Sequence, residues 1–173
     1  VDVPQAANIT SANVTFRATA TSGSTDSGMT LWGQLAANPS TFVANKNNIS
    51  GRTQTTASIA WTVPQWTSGS DYQTPDLTSI VQEIVNQAGW AANNALVILG
   101  QTTVSQNRSA ASRDSTNGSS LAPLLEVCYQ VGPSITISGS LSPFVTPIGT
   151  PSAAQSYTVS GANLTSDIVI TSP

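Results

Sequence analysis

Apolar and polar side chains alternate along much of the chain, and this alternation predicts β-strands. Within residues 9–21, Ala12, Val14, Phe16 and Ala18 fall on one face with polar residues between them, which is the period-two pattern of a half-buried strand. Residues 95–99 are all apolar, so the strand around them is expected to be buried on both faces. The predicted strands after the first are 29–36, 58–63, 95–100 and 124–131.

One amphipathic helix is predicted over about residues 75–88. Thr74 is a candidate N-cap, Pro75 suits the first helical position, and Asp76 suits the positive end of the helix dipole. Gly89 is placed to end the helix in a left-handed conformation. We expect the helix to lie across one edge or end of a β-sandwich, with Trp90 packed beneath its exit. The apolar face, at i, i+3, i+4, i+7 and i+8, consists of Leu77, Ile80, Val81, Ile84 and Val85.

The sequence Val-Gly-Pro at 131–133 predicts a linker between two modules, 1–131 and 132–173. The second module has three short predicted strands, at 134–138, 156–160 and 167–171. Three such strands bury too little surface to be stable alone. We therefore expect the second module to be incomplete, so that other parts of a parent chain or another copy must cover its strands.

The composition is unusually poor in charge. Only 8% of the 173 residues are charged and the net charge is -3, against about 25% charged residues in an ordinary domain. Ser, Thr, Asn and Gln supply the polar surface, which is typical of secreted scaffolds and fibres and lowers the electrostatic barrier to association. The five basic residues are scattered, so no nucleic-acid partner is expected. No segment approaches the roughly 18 apolar residues of a membrane span.

The residue types for common catalytic sites are missing or dispersed. The chain has no His, which excludes Ser-His-Asp and Cys-His catalysis and His-ligated zinc within it. The acidic residues form no pair that could serve a glycosidase. The chain is therefore predicted not to be an enzyme and to need no cofactor, although a structural calcium ion held by Asp71 and carbonyl oxygens is an alternative.

Cys128 and several glycosylation motifs are the remaining chemical features. Cys128 is the only cysteine and lies in an apolar run, which favours a buried side chain over a reactive or intermolecular thiol. Ser115 lies in an Asp-Ser-Thr sequence that resembles the O-glycosylation motif of Bacteroidetes-type bacteria. Polar sequences also generate Asn-x-Ser/Thr sequons by chance; here they occur at Asn8, Asn13, Asn48, Asn107, Asn117 and Asn163.

Two segments resemble known modules. The run at 74–90, from Thr-Pro-Asp-Leu to Ala-Gly-Trp, with 94–99, 122–127 and the tryptophan motifs at 59–66, resembles jelly-roll modules of the DNRLRE and carbohydrate-binding type in large bacterial secreted proteins. This resemblance covers 1–131 and implies a jelly-roll β-sandwich. In that group a strand usually precedes the segment matching residues 3–6, so the opening strand is expected to be missing here.

The second resemblance lies in residues 133–173. The segments 135–144, 149–161 and 163–165 resemble the first half of an immunoglobulin-like repeat of secreted and surface proteins of Bacteroidetes-type bacteria. Those repeats act as spacers and stalks. The expected fold is therefore all-β, with a jelly-roll sandwich followed by a partial immunoglobulin-like module, and neither resemblance implies an enzyme.

These observations favour a structural subunit or stalk segment of an extracellular bacterial surface protein or filament. Copies of the chain, or further domains of a parent chain, would be its partners. β-Strand addition between copies would complete both modules; simple truncation of a longer chain explains the incomplete modules equally well. The alternative is a carbohydrate-binding module, with Trp66 and Tyr72 in the 64–75 loop as a platform for a polysaccharide. The competing expectation is that tryptophans fill the core, as we expect of Trp32, Trp61 and Trp90.

Overall fold

A computed structural model describes residues 1–23, 25–102, 104, 106–115 and 118–171. The chain divides into unit 1, Val1–Gln130, and unit 2, Val131–Pro173. The division falls at the predicted linker. Both units are built mainly from β-strands, which confirms the all-β class.

Unit 1 contains two antiparallel sheets of three strands each. The strand orders of the two sheets are β4-β1-β6 and β3-β2-β5, so β1 and β2 are the central strands. A regular helix, α1, and a four-residue helical turn, α2, complete the unit. The elements are β1 (Asn8–Arg17), β2 (Ser27–Gln34), β3 (Gln54–Val63), β4 (Asp71–Gln73), α1 (Thr78–Val85), β5 (Ile98–Thr102), α2 (Gly118–Leu121) and β6 (Leu124–Gln130).

The predicted helix exists, but it begins later than expected. It starts at Thr78, with Leu77 as N-cap and no side-chain cap hydrogen bond. Thr74 does not cap it, because its hydroxyl oxygen accepts the Val14 N–H of β1 at 3.0 Å. Asp76 accepts the Ala12 N–H at 3.2 Å and the Thr78 N–H at 3.1 Å. Side chains expected to start the helix therefore tie it to β1.

The exit from α1 matches the prediction more closely. Gly89 has the left-handed conformation, with φ of 92°, although it follows the last helical residue by several positions. Trp90 is buried, and its indole Nε1 donates to the Val3 carbonyl at 2.8 Å. Trp90 therefore fills the core, as expected.

The apolar face of α1 packs across β1, β2 and β3, as the prediction of a helix across the sandwich required. Ile80 and Ile84 are fully buried. A Cβ added to Gly33 of β2 would lie 2.5 Å from Cδ1 of Ile84 and 2.8 Å from Cγ2 of Ile80. Only glycine at position 33 lets the helix approach the sheet this closely. We call this part of the interior the helix side.

Polar side chains on the flank of α1 bond to the backbone of both sheets. Gln82 accepts the Ile9 N–H at 2.8 Å and donates to the Ala7 carbonyl at 2.9 Å. Glu83 accepts the N–H groups of Thr56 and Ala57, each at 2.8 Å. The helix thus satisfies backbone groups of both sheets that have no strand beside them there, as an additional strand would do.

The expectation of a doubly buried strand at 95–100 is wrong. Residues 95–97 precede β5, Ile98 is half-buried, and only Leu99 is buried, at 7% exposure. β5 pairs with β2 on one side, and no strand among the described residues pairs with its other side, so it is an edge strand. The expectation of a buried Cys128 is also wrong, because Cys128 is exposed on β6, another edge strand.

Unit 2 is a two-stranded antiparallel sheet of β7 (Ser134–Ser138) and β8 (Thr158–Ala162). The prediction for β7 is confirmed residue for residue, and β8 lies two positions later than predicted. The third predicted strand, 167–171, is not a strand. Most apolar side chains of unit 2 are exposed, among them Ile135, Ile137, Val145, Ile148 and Val169.

Candidate functional site

The two predicted glycan-binding aromatics lie together. The rings of Trp66 and Tyr72 stack with centroids 5.0 Å apart and an interplanar angle of 10°. Tyr72 is half-buried on β4, and its hydroxyl oxygen accepts the Thr67 N–H at 2.8 Å. Trp66, however, is only 4% exposed. The pair therefore does not form the open, two-ring platform that a surface polysaccharide would need.

The stacked pair continues into the interior as a row of aromatic rings. Phe16 of β1 lies 6.1 Å from the ring of Trp66 and 6.1 Å from that of Trp61 on β3. Trp61 is 8% exposed. Phe16 thus joins Trp66 and Trp61 across the space between the two sheets. The expectation that Trp32 fills the core is wrong: Trp32 is half-buried and lies on the face of β2 opposite to the buried Leu31 and Gly33.

This aromatic row borders a cavity of about 410 Å³ between the sheets. Residues from β1, β2, β3 and β5 line it, including Val14, Phe16, Leu31, Trp61, Trp66 and Ile98. Among the described residues that line it, Thr74 and Arg108 have polar side chains, the tryptophans add their indole N–H groups, and none is a carboxylate. A volume of this size lies in the range of small-molecule sites. We call this part of the interior the cavity side.

Arg108 closes one end of the cavity through backbone carbonyls. Its Nε donates to the Pro64 carbonyl at 2.7 Å, and its Nη2 donates to the carbonyls of Thr25 at 2.8 Å and Val63 at 3.2 Å. The guanidinium occupies the space where a Cβ on Gly23 would stand. Among the described residues, no carboxylate forms an ion pair with Arg108.

Two buried polar atoms at the same end have no hydrogen-bond partner among the described residues. They are the indole Nε1 of Trp66 and the hydroxyl oxygen of Ser22. The backbones of Ser22 and Trp66 exchange two hydrogen bonds of 3.0 Å, so their side chains leave on the same side of the ladder. Buried polar atoms without partners are rare in folded proteins.

The acidic residues considered in the sequence have other roles. Asp71 forms an ion pair with Arg17 at 2.8 Å, with both side chains substantially exposed. Among the described residues, no three His, Cys, Asp or Glu side chains group closely enough to hold a metal ion. Hydrogen bonds from the Thr78 hydroxyl, and then from the Ala12 N–H, lower the pKa of Asp76.

The candidate glycosylation residues differ in accessibility. Asn8, Asn107, Ser115 and Asn163 are exposed, whereas Asn13 and Asn48 are half-buried. The side-chain oxygen of Asn13 accepts a hydrogen bond from Gln73 at 2.7 Å, and that of Asn48 accepts the Val43 N–H at 3.0 Å. Asn117 lies outside the described residues.

Sequence reasoning nominated Trp66 and Tyr72 but missed Ser22, Phe16 and Arg108. Phe16 carried a usable signal, since it lies on the apolar face of the first predicted strand. Arg108 carried a weaker one, as a lone cation in a polar loop. Two of its carbonyl partners, Pro64 and Thr25, lie 44 and 83 residues away in sequence, which no local pattern reveals.

Three comparisons with known proteins found no match, whether to a family model, a curated protein or a solved structure. Neither helix within the described residues is long and apolar enough to cross a membrane.

Proposed function

We propose that this chain is a structural subunit or stalk segment of an extracellular bacterial surface protein or filament, without catalytic activity, and that copies associate by β-strand addition. The observation that carries the proposal is the exposure of the apolar face of β7. Ile135 is 58% and Ile137 is 66% exposed, in a sheet of only two strands. Such a sheet is marginally stable in water unless another surface covers it.

Unit 1 supports the proposal from the receiving side. β5 and β6 each pair on one side only, and an unpaired edge is a template for an incoming strand. Ile98 of β5 and Leu125 and Val127 of β6 pack against the core but remain half-buried. An added strand on either edge would gain backbone hydrogen bonds and would also cover these side chains.

The finer fold and the location belong to the same proposal. We assign unit 1 to the jelly-roll sandwiches and unit 2 to immunoglobulin-like modules because of the sequence resemblances described above. The low content of charged residues, 8%, favours side-by-side association of copies. Head-to-tail contacts that do not close into a ring produce filaments. The carbohydrate-binding alternative has less support, since Trp66 is buried.

Light scattering and negative-stain electron microscopy of the full chain, at increasing concentration, test this function. The variant Ile137→Lys places a charge on the exposed apolar face of β7. Thr136→Lys places the same charge on the neighbouring residue, whose side chain lies on the opposite face of the strand. We expect the wild type and Thr136→Lys to form larger assemblies as concentration rises and Ile137→Lys to remain monomeric. Monomers for all three chains at the highest concentration would refute association through β7.

A further inference from the structure

The cavity between the sheets is an apolar chamber with Arg108 at one end. Three aromatic rings, those of Phe16, Trp61 and Trp66, form part of its wall. An apolar chamber of this size favours a hydrocarbon body, which it would remove from water without displacing any hydrogen bonds. A sugar fits poorly, because its hydroxyl groups would find few partners among apolar side chains.

Trp66 supplies one further donor. Its indole N–H has no acceptor among the described residues, and a buried N–H without an acceptor is costly. The Trp66 ring is part of the cavity wall, so a ligand oxygen that reached the indole edge from the cavity would be a suitable acceptor for this N–H.

The polar end also carries a positive charge. Arg108 lines the cavity, and its hydrogen bonds are to the carbonyls of Thr25, Val63, Pro64 and Asn107. Carbonyl oxygens orient the guanidinium but do not neutralise it. A carboxylate would neutralise this charge and form strong, directional hydrogen bonds with the guanidinium.

We infer that unit 1 binds a small amphiphilic carboxylate in this cavity, with a hydrocarbon body against Phe16, Trp61 and Trp66 and its carboxylate at Arg108 and the Trp66 N–H. The cavity shares Ile98 of β5 with one of the edges invoked for association, but its ligand contacts neither β7 nor the strand ladder. Binding of the probes and self-association are therefore measured separately, and either can fail without the other.

Isothermal titration of the full-length chain at low protein concentration tests the inference with three probes: decanoate, decan-1-ol and glucuronate. The variant Trp66→Phe removes the unpaired N–H, and the matched control Trp61→Phe makes the same reduction in ring size at another position in the cavity wall. Ala110→Phe fills the cavity from a half-buried position of its wall. Urea unfolding of each variant establishes that it is folded.

We expect decanoate to bind at least about tenfold more tightly than decan-1-ol, and glucuronate not to bind. Trp66→Phe should weaken decanoate binding by about tenfold, Trp61→Phe by less than about threefold, and Ala110→Phe should abolish it. Equal binding of decanoate and decan-1-ol, tighter binding of glucuronate, or no binding of any probe would overturn the inference. If Trp66→Phe fails to fold, the probe comparison and Ala110→Phe decide the outcome alone.

Discussion

The helix side and the cavity side of unit 1 fill the same space between two sheets in different ways. On the helix side, Ile80 and Ile84 are fully buried and reach Gly33 so closely that a methyl group would not fit. On the cavity side, Ile98 is half-buried beside an opening of about 410 Å³. Stability is therefore concentrated where the helix lies, and the other side is available for a ligand.

The largest expected effect is the difference in unfolding free energy lost when an isoleucine is truncated on each side. Ile84→Ala should lower the free energy of unfolding by about 4 kcal/mol, because it leaves a void in tightly packed surroundings. Ile98→Ala makes the same chemical change beside an existing cavity and should cost only about 1 kcal/mol. Urea denaturation followed by circular dichroism measures both; equal losses would contradict the contrast between the sides.

A smaller effect probes the close approach of α1 to β2. Gly33→Ala should lower the free energy of unfolding by about 2 kcal/mol, since its Cβ would overlap Ile84 and Ile80. Gly28→Ala on the same strand meets nothing within 4 Å and should change stability by less than about 0.5 kcal/mol. Adding Ile84→Val to Gly33→Ala should recover part of the loss in a double-mutant cycle. Additive losses would show that the overlap is not the cause.

The polar flank of the helix should contribute less than its apolar face. Glu83→Gln keeps the shape of the side chain but removes the charge and one acceptor for the Thr56 and Ala57 N–H groups. We expect a loss of about 1 kcal/mol in the free energy of unfolding. Glu126→Gln, on exposed β6, is the control and should be neutral. If Glu83→Gln left the free energy of unfolding unchanged, water would satisfy the hydrogen bonds of those backbone groups equally well.

The smallest expected effect is on the pH dependence of stability. The folded-state pKa of Asp76 lies below its ordinary value of 3.8, so the unfolded chain binds the proton more readily. The stability from this carboxylate is therefore present above pH 3.8 and is lost as pH falls through the folded-state pKa. We expect Asp76→Asn to lower Tm by about 2 °C at pH 6 and by less at pH 3. Asp2→Asn, near the exposed N-terminus, controls for net charge; a Tm difference that does not shrink on acidification would contradict the assignment.

Local patterns were sufficient for the apolar face of α1 and for the existence of most strands. They failed where a side chain has a distant partner. Thr74 has the residue type of a helix cap, yet its hydroxyl oxygen is used by Val14 of β1. Cys128 lies in an apolar run but is exposed, because Leu125 and Val127 take the core-facing positions of β6 and Cys128 has the opposite face. The cavity could not be predicted, since it depends on the spacing of two sheets.

β1 has a consequence for how the chain folds during synthesis. It is the central strand of its sheet, but its partners come late: Phe16 pairs with Tyr72, and Asn8 pairs with Gln130. Pairings between distant residues form slowly because a long loop must close first. A chain that emerges from its N-terminus therefore leaves the edge of β1 that pairs with β6 without its partner until nearly all of unit 1 has been made. We expect a chaperone that binds extended apolar segments to hold β1 during that interval.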